Sequence, residues 1–126
     1  MPLKYRLRQR VNPNQPDSPR KFYAQVVSKG EMTVRQLAKE IADVSTVSIV
    51  DTIAVIESFI HLIPKHLIEG EIVRLGDFGS FSIGILSEGA QQEDEFKVSM
   101  INKVKIYFRP GLELRRALKA TEFEKE

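Results

Sequence analysis

The feature that most constrains this chain is a pair of glycine-punctuated aromatic segments about thirty residues apart. Residues 73–81 are Val-Arg-Leu-Gly-Asp-Phe-Gly-Ser-Phe, and residues 108–114 are Phe-Arg-Pro-Gly-Leu-Glu-Leu. Glycine permits a tight turn, and phenylalanine fills a core. We therefore interpret both segments as structural. They predict strands that follow a helical hairpin and lead into a closing helix.

The start of the chain alternates between apolar and cationic side chains. The apolar positions are Leu3, Tyr5, Leu7 and Val11, and the cationic positions are Lys4, Arg6, Arg8 and Arg10. Because strand side chains alternate between two faces, this pattern predicts one apolar and one cationic face. Residues 12–19 contain three prolines and predict a loop, and residues 22–27 are rich in strand formers. We therefore expect a basic N-terminal β-hairpin, residues 1–30, ahead of a main domain, residues 31–126.

The main domain begins with two helix signals. Thr33 with Gln36 forms a capping-box pattern, and Ser48 with Asp51 gives a second N-cap signal. Apolar residues follow each cap at helical spacing, and Gly70 is a helix terminator. Strands are expected over residues 71–75, 79–86 and 96–107, separated by an acidic segment, residues 87–95. Pro110 suits the first turn of a last helix, and residues 119–126 are expected to be a helix end and a frayed tail.

Charge is unevenly distributed along the chain, although the formal net charge is only +2. Residues 1–30 carry seven basic and one acidic side chain, and the remainder carries twelve basic and sixteen acidic ones. This asymmetry, +6 against −4, favours a polyanion-binding face. The chain has no cysteine, which excludes disulfide and thiolate chemistry and fits a reducing compartment. It also lacks a secretory leader and a stretch of about 20 apolar residues, so we expect a cytoplasmic protein.

From about residue 31 to residue 119, the order of these elements resembles the HU/IHF family of bacterial histone-like proteins, small dimers that bind and bend DNA. The extra N-terminal hairpin is similar to that of longer HU-related proteins of Bacteroides-type bacteria. The resemblance implies an α+β fold: an intertwined dimer with a helical hairpin, a β-sheet with a long β-arm, and a C-terminal helix. It also implies a dimer core that contains Phe78, Phe81 and Phe108.

The chain departs from the family pattern at three places. Asp77 stands where the family usually has the first glycine of Gly-Phe-Gly, and Leu112 stands where a phosphate-contacting lysine is common. Residues 82–96 contain neither the basic residues nor the proline wedge of a typical arm. An acidic arm without a wedge is repelled by phosphate, so we expect weaker DNA bending.

The candidate DNA-binding residues are the cations that strand periodicity places together, with two that extend the first row. They are Lys4, Arg6, Arg8, Arg10, Arg20, Lys21, Lys103, Lys105 and Arg109. The alternative for the first row is a solvated strand face, or an edge strand charged against aggregation. Arg115, Arg116 and Lys119 fit a solvated helix face.

We find no pattern for catalysis or metal binding. A nucleophile motif, a phosphate loop and paired catalytic carboxylates are absent, and neither His61 nor His66 is spaced with an acidic cluster. We therefore expect no enzymatic activity, cofactor, metal, membrane contact or small-molecule substrate. The resemblance implies a homodimer. The first hypothesis is an HU-like protein that binds DNA with little sequence preference and organises the chromosome in the nucleoid. The alternative is a dimeric scaffold or interaction module that has weak or lost DNA binding.

Overall fold

The computed structural model describes all 126 residues and has a mixed α+β fold, as predicted. The elements, in chain order, are β1 (Leu3–Arg10), β2 (Lys21–Val26), α1 (Val34–Val44), α2 (Ile49–Ile68), β3 (Val73–Arg74), β4 (Gly79–Ser87), β5 (Ile101–Pro110), α3 (Leu112–Lys119) and β6 (Phe123–Lys125). They form two compact units. The first unit comprises Met1–Thr33 and Ala117–Glu126, and the second comprises Val34–Arg116.

The first unit contains a three-stranded sheet, here called the N-terminal sheet, with strand order β2-β1-β6. β1 and β2 form the predicted antiparallel hairpin, whereas β6 pairs with β1 in parallel, with Leu3 opposite Phe123. The Leu3 N–H donates to the Glu122 carbonyl at 2.7 Å, and the Glu126 N–H donates to the Tyr5 carbonyl at 2.8 Å. The expected frayed tail is therefore wrong, because these residues satisfy the second edge of β1.

The helices of the second unit begin and end as their caps predict. The Asp51 N–H donates to the Ser48 hydroxyl at 3.1 Å, which confirms Ser48 as the N-cap of α2. At the other end Gly70 has φ +89°, and the Glu71 N–H donates to the His66 carbonyl at 3.1 Å. Glycine takes this left-handed conformation without penalty and ends the helix. None of the helices is long and apolar enough to cross a membrane.

The second unit also contains an antiparallel sheet, here called the arm sheet, with strand order β3-β4-β5. β4 and β5 pair from Gly79 opposite Pro110 to Ser87 opposite Ile101. β5 therefore begins later than predicted, because residues 88–100 connect the strands through two short 3-10 turns. Pro110 ends β5 and is not in the first turn of α3, so that prediction is wrong.

Little of this chain is buried on its own. Ala38 and Leu67 are the only buried apolar side chains, and residues on α2, β4 and β5 are extensively exposed. Phe59, Ile85 and Ile106, for example, expose between 49% and 65% of their surface. A chain of this length normally buries a substantial core. Large parts of the apolar surface of both units are therefore exposed to solvent.

Candidate nucleic-acid interface

One face of the arm sheet gathers cations from two strands. Arg74 of β3 is directly opposite Ser80 of β4, and Ser80 is directly opposite Arg109 of β5. Directly opposed residues share a face, and neighbouring strands lie about 4.8 Å apart. Two guanidinium groups therefore flank a serine hydroxyl in one row across the sheet. Such a row offers charge-assisted hydrogen bonds to an anion.

The same face continues along β5 toward the connection between β4 and β5. Lys103, Lys105 and Arg109 are separated by two and four residues along β5. Even spacings return a strand side chain to the same face, so all three predicted cations lie on one face, here called the outer face of the arm sheet. Tyr107 stands between Lys105 and Arg109 and is 53% exposed. A Cβ on Gly84 would meet the Tyr107 ring at 2.4 Å, so glycine there lets the ring lie flat against the sheet.

The end of the outer face is an open pocket of about 260 Å³ that Arg74, Ser80, Arg109 and Arg115 help to line. The Gly111 N–H donates to the Phe78 carbonyl at 2.8 Å, and the Gly111 carbonyl accepts from the Arg115 N–H at 2.9 Å. These bonds join the turn before β4 to the start of α3. They fix the backbone positions from which Arg109 and Arg115 reach the pocket.

The outer face of the arm sheet has no carboxylate at its paired strand positions, where the cations are opposed by serine, glycine and leucine. Its arginines and lysines also have no ion-pair partner within 4.0 Å. Their charge is therefore available to an external anion. A phosphate backbone is the polyanion that rows of lysine and arginine bind.

The N-terminal sheet has a second cationic face. Lys4, Arg6, Arg8 and Arg10 occupy alternate positions of β1. Lys21 is opposite Arg10, and the Arg10 guanidinium lies 5.8 Å from the centroid of the Tyr23 ring, within cation–π range. Arg20 directly precedes β2. Lys4, Arg6, Arg8, Arg10 and Lys21 therefore share one face, here called the cationic face of the N-terminal sheet, whereas the strand pairing does not place Arg20 on it.

Two carboxylates, one in β6 and one directly after it, also lie on this face. Glu124 is directly opposite Lys4, and Arg6 Nε lies 3.0 Å from Glu126 Oε2. Arg6 Nη2 also donates to Glu126 Oε1 at 3.3 Å, so the contact is bidentate. The cationic face is therefore partly neutralised by the chain itself.

The opposite face of the arm sheet is apolar. Phe81 is opposite Phe108, and their ring centroids lie 4.8 Å apart, while the Phe78 ring lies 5.6 Å from that of Phe108. Tilted rings at these distances add to the stability of a packed cluster. Phe78 is nevertheless 50% exposed and Phe108 39% exposed. The three predicted core phenylalanines therefore contact one another while their cluster remains open.

A histidine and two carboxylates meet at the end of α2. His66 Nδ1 lies 2.9 Å from Glu71 Oε1, and the possible ligand atoms of His66, Glu69 and Glu71 lie within 4.8 Å of one another. The prediction that no acidic residues accompany His66 is therefore wrong. Gly70 turns the chain back on the helix end and brings Glu71 to His66. The hydrogen bond and charge of His66 lower the pKa of Glu71 from 4.5.

The sequence interpretation did not assign Arg74 and Ser80 to the outer face of the arm sheet, or Glu124 and Glu126 to the cationic face of the N-terminal sheet. Arg74 and Ser80 join the arm-sheet row only through the register of β3 with β4, in which Val73 pairs with Phe81. The shared apolar character of Val73 and Phe81 was the available signal. Alternation of Glu122, Glu124 and Glu126 was a weaker signal for β6.

The helix pair, the hairpin-bearing sheet and the closing helix define the second unit as an HU-type domain. The model of the HU-HIG family, described as an HU domain fused to wHTH, Ig, or glycine-rich motif, matches residues 1–125. The chain belongs to this family. The predicted HU-like relationship is thus confirmed, and the match includes the N-terminal hairpin that lies outside the usual HU body.

Solved structures share the fold. Fourteen of their chains match, among them a crystal structure from Bacteroides vulgatus ATCC 8482 of a protein described as a candidate bacterial DNA-binding protein. That match has a TM-score of 0.64 and 17% sequence identity, and it covers 98% of the present chain. The chain spans about half the length of that protein, 47%. No curated protein matches.

Proposed function

We propose that this chain is a non-enzymatic, homodimeric HU-like protein that binds DNA through its phosphates and helps to organise the chromosome in the cytoplasmic nucleoid. The outer face of the arm sheet carries the proposal, because Arg74, Lys103, Lys105 and Arg109 lie on one face without a carboxylate. Phosphate contacts position a protein but carry no base information. Binding is therefore largely independent of sequence.

The exposed apolar surface supports the dimer. The chain has an accessible surface of 11135 Å². Two separately folded monomeric units of these sizes would together expose about 8,200 Å². The excess, roughly 3,000 Å², is the size of an obligate dimer interface. A second copy that contributes the same apolar surface covers it by two-fold symmetry, with Phe78, Phe81 and Phe108 inside.

The connection between β4 and β5 supports weak bending of DNA. It carries Glu88, Glu93, Asp94 and Glu95 and has no proline to insert between base pairs. Carboxylates are repelled by phosphate. A kink requires a side chain inserted between base pairs, and the free energy cost of unstacking them is offset by new contacts to the bent DNA. The arm therefore adds little to binding, and the sheets supply the contacts. The fold match over 98% of the chain with a protein from Bacteroides vulgatus supports a place in the Bacteroides-type subfamily.

The test is a salt titration of DNA binding, measured by fluorescence anisotropy with a mixed-sequence duplex. Lys103→Gln, Lys105→Gln and Arg109→Gln, combined in one variant, remove three cations from the outer face. We expect the slope of log K against log salt to fall by about 2.7 per protomer, since each phosphate contact contributes about 0.9. A matched variant, Arg35→Gln with Lys39→Gln and Lys65→Gln, loses the same charge from exposed helix positions. Equal effects of the two variants would refute the proposed face.

The second candidate is a dimeric scaffold that does not bind DNA, with the acidic connection as its contact to a basic partner. The four carboxylates of residues 88–95 favour it. A mobility-shift assay with mixed DNA near physiological salt separates the two functions. No shift at about tens of micromolar dimer, where nonspecific binders normally associate, would favour the scaffold.

A further inference from the structure

Two carboxylates, Glu124 in β6 and Glu126 directly after it, give the cationic face of the N-terminal sheet internal negative charge. Glu124 faces Lys4 across the parallel pair without an ion-pair contact within 4.0 Å, and Glu126 holds Arg6 at 3.0 and 3.3 Å through two nitrogens. Arginine binds carboxylate and phosphate with the same forked geometry. The Glu126 carboxylate therefore takes the place that a phosphate would take on Arg6.

The two halves of the row differ in the charge they present. Arg8 and Arg10 have no carboxylate opposite them, because their partners on β2 are Tyr23 and Lys21. β6 pairs only with Leu3, Lys4 and Tyr5 in the strand register. The residue after it, Glu126, contacts Arg6. Neutralisation thus stops between Arg6 and Arg8.

We infer that β6 and the residue after it mask one half of this face: Glu126 occupies the position of a backbone phosphate on Arg6, and Glu124 places a second negative charge opposite Lys4, so that nucleic acid contacts Arg8, Arg10 and Lys21 but not Lys4 or Arg6. This inference rests on the proposed DNA binding and specifies which part of the face takes part. The Arg6–Glu126 pair is exposed on both sides, 44% and 50%, so solvent and salt reach it. The mask therefore lowers the number of phosphate contacts without closing the sheet.

The test compares three forms of the full chain by the same salt titration between 50 and 200 mM. One variant carries Glu124→Gln with Glu126→Gln, which keeps the strand backbone and removes both charges. We expect its slope to exceed that of the unchanged protein by about 1.8 per protomer. Its gain in affinity should accordingly shrink about tenfold across this salt range. The control, Glu31→Gln with Glu40→Gln, makes the same change in net charge at exposed positions outside the strands of the N-terminal sheet.

A reciprocal substitution keeps the test valid if β6 loosens. Arg6→Gln should leave affinity nearly unchanged in the original chain and reduce it in the Glu126→Gln background. Arg8→Gln should reduce affinity in both backgrounds.

The outcomes separate the inference from the proposed function. If the unchanged protein binds DNA and both double variants alter binding alike, masking is wrong and DNA binding stands. If Arg6→Gln weakens the original chain as much as Arg8→Gln does, masking is also wrong. If no form binds at 50 mM salt, the proposed function fails and masking fails with it. Binding by the Glu124→Gln, Glu126→Gln variant alone would establish masking.

Discussion

Both sheets of this protein have one apolar and one cationic face. They differ in ion pairing, because the cations of the arm sheet are unpaired, whereas the N-terminal sheet pairs Arg6 with a carboxylate. The cations lie in alternate or opposed positions, four in the arm sheet and five in the N-terminal sheet. In the arm sheet the cations Arg74 and Arg109 face Ser80, whereas in the N-terminal sheet Lys4 and Arg6 face Glu124 and Glu126. The availability of a cation therefore depends on what the neighbouring strand places beside it.

The apolar faces differ as well. In the arm sheet Phe78, Phe81 and Phe108 form one ring cluster, while the apolar face of the N-terminal sheet carries Phe22 at 65% and Phe123 at 68% exposure. We expect the cluster to be the centre of the dimer, since aromatic side chains give the largest gain on burial. The four predictions below test these contrasts, from the largest expected effect to the smallest.

Phe108→Ala should cost about 3–5 kcal/mol of stability, because it empties the middle of the ring cluster in the dimer. Phe22→Ala, its control on the other sheet, should cost about 0.5 kcal/mol, as expected for an exposed side chain. Urea denaturation gives both values, and analytical ultracentrifugation gives the oligomeric state. A small loss for Phe108→Ala with an unchanged dimer would mean that the cluster is not the dimer core.

Gly111→Ala should destabilise the second unit by about 3 kcal/mol. The new Cβ would meet the Asp77 carbonyl oxygen at 2.2 Å, and backbone cannot move aside as a side chain can. Gly89→Ala is the matched control, because its Cβ would meet nothing within 4 Å. Thermal unfolding followed by circular dichroism checks both. Equal melting temperatures would show that the junction between the turn and α3 is not tightly packed.

The two cationic faces can be compared directly by removing one arginine pair from each. Arg74→Gln with Arg109→Gln should lower the salt slope of DNA binding by about 1.8 per protomer. Arg8→Gln with Arg10→Gln should lower it by no more than that, since it likewise removes two cations that have no ion-pair partner within 4.0 Å. A larger loss from the Arg8 and Arg10 variant, measured by anisotropy, would make the N-terminal sheet the main interface.

The smallest effect concerns the exposed pair at the end of α2. The His66 hydrogen bond and charge lower the pKa of Glu71, so its carboxyl should titrate below 4.5. Any stabilisation by this pair is complete above pH 4.5 and is lost as the pH falls through the lowered pKa. His66→Asn should return the midpoint toward 4.5 in an NMR titration. An identical midpoint in both proteins would show that the contact is absent in solution.

Periodicity and capping chemistry predicted the elements whose signals are local. Alternation placed the cations of β1 on one face, and Ser48 with Asp51 marked the start of α2, because both signals act within a few residues. Aromatic and glycine spacing predicted the strands β4 and β5, and the resemblance to the HU/IHF family implied that Phe78, Phe81 and Phe108 share a core. The second half of residues 96–107 is strand as expected, while its first half is not.

The parts that sequence reasoning missed depend on distant pairing. β6 has three residues and only a weak local strand signal, and it forms because β1, about 120 residues earlier, offers a free edge. Arg74 belongs to the outer face only through the register of a two-residue strand. Both strands are too short for their local patterns to set a register, so the carboxylates and the arginine that decide the charge of each face were not assigned to those faces.

The parallel pairing of β1 with β6 has a consequence for the order of events during protein synthesis. Arg6 is made early, but its partner Glu126 lies 120 residues further on. Contacts this distant in sequence form late, and domains emerging from the ribosome fold from the N-terminal side first. A nascent chain therefore carries a basic hairpin without the Arg6–Glu126 contact until residue 126 has left the ribosome. During that interval it is most strongly attracted to any nearby nucleic acid, including the ribosomal RNA that surrounds it.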